Sequence, residues 1–342
     1  MKTPDDKIST VSLEKLKNTV GRGPALIMTH DNPDPDALAS GSALAALFEK
    51  AWNIKAQPVY SGLIARPENK AMLEILTPEW ARYDPAAQID QYPIVALVDT
   101  QPGAGNNRLP AGFTPQIVID HHYPIRDGLD GVKFLQIQTE IGATCSIVYQ
   151  YLEAAGVEVG SRLATAIFYG IQTDTQGLSR GGSPVDQEIY LKLVNQIDRK
   201  KLIEVVQAGL PRDYFQAFSD ALKATWIYGS AVVANLGDLH RPDFVAEMAD
   251  ALVRLEHVRA VLCLGYHQGV LYLSLRTPNS EPDAGLMIQR IIVADGKAGG
   301  HGTMAGGQIR IGDKSSQEIA SIVQARFLQV MGETGAGERL LS

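Results

Sequence analysis

Residues 30–36 (HDNPDPD) follow the apolar run Ala25–Met28 (ALIM) after a single threonine, and they are the most informative segment of this chain. An apolar run of this kind predicts a buried strand, and the Ala- and Leu-rich stretch after Asp36 has the spacing of a helix. Pro33 and Pro35 restrict the backbone angle φ of the turn between the two elements. We therefore expect a strand–turn–helix unit that presents a histidine and several carboxylates at the edge of a sheet.

Three further acidic positions in the first 175 residues also follow apolar stretches. Asp99 follows Pro93–Val98 (PIVALV), residues 120–122 (Asp-His-His) follow Gln116–Ile119 (QIVI), and Asp174 ends the helical stretch IFYGIQTD. Open α/β sheets bind ligands at the carboxyl ends of their strands. Clustered carboxylates repel one another unless cations neutralise them. Together the four positions predict bound metal.

Each position alone has a simpler explanation. An aspartate at a helix end explains the first and last positions, an Asx turn explains Asp99, and a surface histidine pair explains residues 121 and 122. The combination favours metal, because all four lie at similar places relative to strands and helices. Histidine with carboxylate suits manganese, iron, cobalt or zinc better than calcium. Such a set matches two divalent ions about 3.5–4 Å apart, which can activate a bridging water.

Alternating strand and helix patterns predict an α/β fold with a mostly parallel sheet and flanking helices, followed by a smaller α/β domain. We expect a metal-binding catalytic domain over residues 1–195, a linker over 196–211 and a second domain over 212–342, with a cleft between the domains. The length of 342 residues fits two domains.

Several individual elements are specific enough to be tested. We expect a first helix over Ser12–Val20 with Ser12 as its cap, and a single helix over Val185–Val206. Ile227–Leu236 is predicted as one strand. The tail after Gly332 is expected to be frayed.

Composition narrows the class of substrate. The net charge is -7, whereas proteins that grip long nucleic acid usually carry a basic face, so a small anionic substrate is favoured over a long duplex. Cys145 and Cys263 lie in apolar stretches and are predicted to be core thiols. The polar start and the absence of a long apolar run favour a soluble, cytoplasmic protein with no membrane partner. The sequence leaves open whether the protein is a homodimer, because no segment has the features of an interface.

Six motifs resemble those of one known family. Residues 30–40 (HDNPDPDALAS), 96–100 (ALVDT), 119–122 (IDHH) and 170–175 (GIQTDT) resemble the four motifs of the DHH phosphoesterase superfamily, which is named after its Asp-His-His triplet. Residues 275–277 (LRT) and 299–307 (GGHGTMAGG) resemble the substrate-binding arginine and the glycine-rich signature of its associated C-terminal domain. The resemblance covers nearly the whole chain.

The resemblance implies two divalent metal ions, with manganese favoured and magnesium or cobalt as alternatives. The ligands that it implies for the first ion are His30, Asp34 and Asp99. Those that it implies for the second ion are Asp36, Asp99, His121 and Asp174. Asp99 would bridge the two ions.

The resemblance also implies catalytic and substrate-binding roles. His122 would lie near the scissile phosphate and assist the leaving oxygen, and Asp120 would support the histidine pair. The residues that it implies for contact with the far phosphate or base are Arg276, Gly299, Gly300 and His301.

The activity implied is hydrolysis of short oligoribonucleotides, dinucleotides or nucleoside bisphosphates such as pAp by a two-metal-activated water. The alternatives are a cyclic dinucleotide or pApA phosphodiesterase and a non-catalytic nucleotide-binding regulator. Pyrophosphatase and RecJ-type exonuclease activities are less favoured, because the chain has the nucleotide-handling signature and lacks extra strand-binding modules. The chain departs from the family pattern at Pro35 within the first turn, at Ala39 where glycine is frequent, at Ala298 before the glycines, and over residues 100–107 (TQPGAGNN), which stand in place of a charged segment. They leave the substrate open.

Overall fold

The computed structural model describes residues 8–64, 66–86, 89–179, 181–279, 281–293, 296–312 and 315–341. The chain divides into two compact units, Met1–Gly209 and Leu210–Ser342. Each unit has its own sheet and its own apolar cores.

The described part of the first unit contains six strands and seven α-helices. The strands are β1 (Ala25–Asp31), β2 (Ala56–Ser61), β3 (Ala81–Arg82), β4 (Ile94–Val98), β5 (Ile117–Asp120) and β6 (Phe134–Ile137). The helices are α1 (Thr10–Val20), α2 (Pro35–Trp52), α3 (Pro67–Ile75), α4 (Thr144–Ala154), α5 (Ser161–Asp174), α6 (Pro184–Leu193) and α7 (Arg199–Val206), with a 3-10 turn at Ile89–Gln91. The strands pair in parallel in the order β3-β2-β1-β4-β5-β6, which confirms the predicted parallel sheet.

The sheet of the first unit is buried on both faces. Ala25 and Ile27 of β1 pack into a core that also contains α2, α4 and α5. Leu26 and Met28 point to the opposite face, into a smaller core with alternate residues of β4. Strands covered on both faces are apolar along their length, which is why ALIM and IVALV carry no charge. The order of the strands reverses between β1 and β4, and such a switch point is where open α/β sheets bind ligands.

The described part of the second unit contains seven strands and four helices. The strands are β7 (Thr225–Tyr228), β8 (Ala231–Asp238), β9 (Ala260–His267), β10 (Val270–Arg276), β11 (Gly296–His301), β12 (Met304–Arg310) and β13 (Glu338–Arg339). The helices are α8 (Arg212–Lys223), α9 (Phe244–Leu252), α10 (Ala284–Ile291) and α11 (Ser316–Met331). Their order in the sheet is β11-β12-β10-β9-β8-β7-β13, and β8 and β9 form the parallel pair of this otherwise antiparallel sheet. Helices α10 and α11 cover one face of the sheet, and α8 and α9 cover the other.

Two predicted helices differ from the structure. The first begins at Thr10 with Ser9 as its cap, because the Ser9 side chain accepts a hydrogen bond from the backbone N–H of Ser12. The single helix expected over Val185–Val206 is two helices, α6 and α7. Asp198 starts the second by accepting a hydrogen bond from the backbone N–H of Lys201. Helix α7 lies in the segment assigned to a linker, but it packs against α3 and α5 and belongs to the first unit.

Two predictions in the second unit are also wrong. The strand expected over Ile227–Leu236 is a hairpin of β7 and β8, in which Gly229 has a φ of +57° that favours glycine at the turn. The tail after Gly332 is not frayed throughout, because β13 pairs with β7.

Among the helices that the structure describes, none is long and apolar enough to cross a bilayer.

Candidate metal centre

The carboxyl ends of β1, β4 and β5 gather the acidic and histidine side chains of the first unit. His30 lies near the end of β1, Asp99 follows β4 directly, and Asp120 is the last residue of β5. Helix α2 brings its first turn to the same edge, and α5 brings its last residue. The structure thus brings together the six residues predicted to be metal ligands, which are His30, Asp34, Asp36, Asp99, His121 and Asp174.

The first cluster consists of His30, Asp34 and Asp99, whose candidate ligand atoms lie within 4.8 Å of one another. His30 Nε2 is 3.3 Å from Asp99 Oδ2 and 3.9 Å from Asp34 Oδ2. The other ring nitrogen, Nδ1, is 3.0 Å from the backbone oxygen of Asp31. A carbonyl can only accept, so Nδ1 carries the proton and Nε2 is available to a metal.

The second cluster consists of Asp36, His121 and Asp174, also within 4.8 Å of one another. His121 Nε2 is 3.4 Å from Asp174 Oδ2. Its Nδ1 is 3.0 Å from the carbonyl oxygen of Ile141, which again leaves Nε2 as the available nitrogen. This Nε2 is buried and has no hydrogen-bond partner. A buried ring nitrogen without a partner, directed at carboxylates, is the arrangement expected of a cation ligand.

Asp99 lies between the two clusters. Its Oδ2 faces His30, and its Oδ1 is 3.6 Å from His121 Nε2. Its side chain is 1% exposed, and its φ of +58° is unusual for a residue other than glycine. Backbone strain of this kind is found at functional sites where neighbouring structure enforces it. The geometry suits the bridging role expected of Asp99, which stays a prediction.

Asp36 shows how the fold stabilises a buried carboxylate. It accepts hydrogen bonds from the backbone N–H groups of Thr144, at 2.7 Å, and Cys145, at 2.8 Å. These belong to the first turn of α4, where backbone N–H groups lack partners within the helix and favour an anion.

Sequence reasoning missed Thr144. Its hydroxyl donates to Asp99 Oδ1 at 2.8 Å, while its backbone N–H holds Asp36. Thr144 is the first residue of α4, and nothing in the sequence linked that helix to the acidic edge.

Asp120 and His122 form a separate pair beside the two clusters. His122 Nδ1 is 2.8 Å from Asp120 Oδ1, so the ring presents Nε2 on a side chain that is 49% exposed. Burial lowers the pKa of His122, but hydrogen bonding to Asp120 and the charge of Asp99 raise it to about 9. Burial raises the pKa of Asp120, yet the contact of Asp120 with His122 brings this pKa below its usual value.

A third set of candidate ligand atoms within 4.8 Å of one another belongs to Asp99, His121 and His122. Since Asp120 occupies Nδ1 of His122, we favour a role for His122 toward substrate.

Repulsion among the carboxylates of the two clusters, together with burial, shifts several pKa values in the metal-free protein. Burial, and then the charges of Asp99 and Asp34, raise the pKa of Asp36 well above its usual value. Burial, and then Asp34 and Asp36, do the same for Asp174. Burial lowers the pKa of His30, but contacts with Asp34 and Asp99 outweigh it and hold the pKa well above its usual value. The cluster therefore retains protons that cations would replace. Donor types, burial and the partnerless nitrogen of His121 all fit divalent cations.

The second unit places Arg276 at the end of β10. Its Nε donates to Asp250 at 2.6 Å, and one terminal nitrogen donates to the Ser274 hydroxyl at 2.8 Å. Arg276 pairs with Met304 of β12, and Met304 pairs with His301 of β11, so these residues lie on one rung of three neighbouring strands. The side chain of His301 lies outside the described residues.

The glycines predicted to contact substrate lie in β11. A Cβ on Gly299 would meet no atom within 4 Å, so the backbone is open there. Gly300 has a φ of +148°, and a Cβ on it would lie 2.3 Å from the backbone oxygen of Met304. Contact between substrate and Arg276, Gly299, Gly300 or His301 stays a prediction.

The sequence of this chain is similar to one protein family model and to several known proteins. The model of the DHH family, N-terminal domain, matches residues 24–171. Uncharacterized protein MJ1633 of Methanocaldococcus jannaschii is 30% identical over 339 residues, which cover 96% of this chain and 68% of that protein. A probable manganese-dependent inorganic pyrophosphatase of Streptococcus agalactiae is 25% identical over 236 residues, covering 69% of this chain and 71% of that protein.

A solved structure supports the fold. An exopolyphosphatase-related protein from Bacteroides fragilis superposes with a TM-score of 0.75 at 14% identity, covering 97% of this chain and 99% of that one. Together with the four motifs and the clusters that they form, the match to the family model and the relative from Methanocaldococcus jannaschii show that the chain belongs to the DHH superfamily of phosphoesterases.

Proposed function

We propose that this phosphoesterase hydrolyses short oligoribonucleotides, dinucleotides or nucleoside bisphosphates such as pAp, using two divalent cations of which manganese is favoured. The observation that carries the proposal is the position of Asp99, whose two oxygens face different clusters of metal-ligand side chains. The pyrophosphatase relative is described as manganese-dependent, which supports the choice of metal.

Divalent cations in such a site lower the pKa of water towards neutrality and neutralise charge that develops on a phosphoryl group. The chain's own side chains prepare the site for this chemistry. Asp36 is held by the first turn of α4, and His121 is oriented by the Ile141 carbonyl. His122 is held at Nδ1 by Asp120, so its Nε2 can donate a hydrogen bond or a proton to the leaving oxygen.

The choice of substrate rests on charge and on the second unit. A net charge of -7 disfavours electrostatic capture of long nucleic acid, which relies on many phosphate contacts. Arg276 lies at the end of β10, and the backbone is open at Gly299 of β11 in the same sheet. Arginine recognises phosphate in a planar, bidentate manner, so we propose that Arg276 binds the far phosphate of a short substrate.

Inorganic pyrophosphate is the second candidate, because a relative that aligns over 69% of this chain is described as a probable pyrophosphatase. Cyclic dinucleotides and pApA are further alternatives. A nucleotide-binding protein without catalysis is the rival from another class, although the six predicted ligands are all present.

The test is a product profile with purified protein in manganese, and in chelator as control. The panel contains diribonucleotides, pAp, pApA, cyclic dinucleotides, pyrophosphate and a chromogenic phosphodiester. We expect kcat/KM for a diribonucleotide or pAp to exceed that for pyrophosphate by at least about tenfold, which corresponds to about 1.4 kcal/mol. A preference for pyrophosphate would select the second candidate. Turnover of no compound in the panel would favour the binding protein.

Replacing Arg276 with alanine tests the substrate role of the second unit. Loss of a phosphate contact should raise KM for a diribonucleotide about tenfold or more and leave the minimal chromogenic ester nearly unaffected. The matched control is Arg290→Ala, which removes an exposed arginine from α10. Equal effects of Arg276→Ala on both substrates would remove its proposed role.

A further inference from the structure

Gln101 lies in residues 100–107 (TQPGAGNN), the segment that departs from the family pattern, and its side chain is only 2% exposed. Its Nε2 donates to Asp120 Oδ2 at 2.6 Å and to the backbone oxygen of His122 at 3.1 Å. Its Oε1 accepts from the backbone N–H of Arg126 at 2.7 Å. One buried amide therefore joins the loop after β4 to the last residue of β5 and to two points in the chain that follows it.

The partners of Gln101 determine which way its amide faces. The backbone N–H of Arg126 can only donate, and the carbonyl of His122 can only accept. An amide turned the other way would lose both hydrogen bonds and place its oxygen against the Asp120 carboxylate. The backbone of Gln101 is also fixed, because Asn107 Nδ2 donates to its carbonyl oxygen at 3.0 Å.

Asp120 transmits this constraint to His122. The Asp120 side chain is fully buried, and its two oxygens are divided between Gln101 at Oδ2 and His122 at Oδ1. A carboxylate held at both oxygens has a fixed plane, and this fixes the direction of the histidine N–H that it accepts. Residues that orient a functional histidine through a carboxylate in this way typically change activity or metal affinity about 10–100-fold when replaced.

We propose that Gln101 is a positioning residue that fixes the imidazole of His122 through Asp120 and thereby sets the rate of phosphoester hydrolysis. The inference rests on the proposed function, since it needs His122 to act on the leaving oxygen. It gives a role to Gln101 in the segment after Asp99, which departs from the family pattern.

The first test is kinetic and uses the full chain. Gln101→Met keeps the length of the side chain but removes all three hydrogen bonds, and it should lower kcat on a diribonucleotide about 10–100-fold with KM changed less than about twofold. Gln101→Glu keeps an acceptor for Arg126 but has no donor for Asp120, and it should lose at least as much. The matched control is Gln116→Met, because Gln116 accepts from Val95 N–H at the opposite end of β5. The control should stay within about twofold of wild type.

A double-mutant cycle separates positioning from general support of the fold. If Gln101 acts through His122, then adding Gln101→Met to the His122→Ala variant should lower kcat by less than about a further twofold. Multiplicative losses in the double variant would overturn the inference.

A second readout does not depend on activity. In metal-free, nitrogen-15-labelled protein, the Nδ1–H of His122 should give a protected downfield proton signal, assigned by its loss in His122→Ala. Gln101→Met should shift or remove this signal, and Gln116→Met should retain it. A signal unchanged by Gln101→Met overturns the inference even when wild-type protein hydrolyses nothing. If the wild-type protein is active and the Gln101→Met variant is equally active, the role of Gln101 is overturned while the proposed function remains in place.

Discussion

The carboxylates of the metal centre are each stabilised in a different way. Asp36 receives two backbone N–H groups, Asp99 receives the hydroxyl of Thr144, and Asp174 keeps 22% of its side chain exposed. These hydrogen-bond donors carry no full positive charge. Although the His30 ring offsets part of the negative charge, the raised pKa values of Asp36 and Asp174 reflect repulsion that persists in the metal-free protein. Cation binding should therefore stabilise the folded chain as well as enable catalysis.

Replacing Asp99 with asparagine should separate these two effects. The variant removes a charge that raises the pKa of Asp36 and Asp174, while asparagine can still accept from Thr144. Without metal, its free energy of unfolding should equal or exceed that of wild type. Manganese at about 100 times the wild-type Kd, which should stabilise wild type by about 2.7 kcal/mol per site, should have little effect. Thermal melts with and without manganese measure both quantities, and an undiminished manganese shift in the variant would contradict the account.

The affinity for manganese should rise with pH. In the metal-free folded state, the pKa of Asp36, Asp174 and His30 lies above the usual value, so each group holds its proton to a higher pH than it would in the unfolded chain. A cation must displace these protons, and below the raised pKa its affinity falls by about tenfold per pH unit for each proton released.

Calorimetry in two buffers of different ionisation enthalpy measures this release directly. We expect at least one proton to leave per chain when manganese binds near neutral pH. Binding without proton release would show that the clusters are not protonated in the way that their burial and mutual repulsion require.

The N-cap residue of helix α2, Asp34, combines a structural and a chemical function. Asp34 caps the helix by accepting from the backbone N–H of Ala37 at Oδ1, and it faces His30 with Oδ2. Asparagine caps helices as well as aspartate does, whereas alanine costs about 1 kcal/mol. Asp34→Asn should therefore melt like wild type without metal but bind manganese at least about tenfold more weakly. Asp34→Ala should lose both stability and affinity, and Asp34→Asn with wild-type affinity in a calorimetric titration would refute the ligand role.

The elements that surround the site were accessible from sequence because each one has a strong local signal. Ala25–Met28 and Pro93–Val98 are uninterrupted apolar runs, and the helix that follows the first of these runs is rich in alanine and leucine. The breaks within predicted helices and strands were harder to predict. The break between α6 and α7 depends on the Asp198 cap, and the turn at Gly229 interrupts a stretch of strand-forming residues.

Long-range partners were beyond the reach of sequence patterns. Thr144 lies 45 residues from Asp99, and Gln101 lies 19 residues from Asp120, yet each donates a hydrogen bond to that aspartate. Only the topology of the sheet brings such residues together. Local chemistry therefore predicted the candidate ligands, whereas the residues that orient them required the fold.

Over the whole chain, two units with separate cores carry different kinds of chemistry. The first presents carboxylates and histidines at the switch point of a parallel sheet. The second presents an arginine and a glycine-rich hairpin at the end of a mixed sheet. We expect the first unit to hold two cations with Asp99 between them.

Crystals of the protein grown or soaked in manganese, with diffraction recorded at the manganese absorption edge, test this expectation. We expect two anomalous peaks about 3.5–4 Å apart. One should be bound by His30 and Asp34, the other by Asp36, His121 and Asp174, with Asp99 shared. Absence of anomalous density among these side chains, or two ions bound elsewhere, would contradict it.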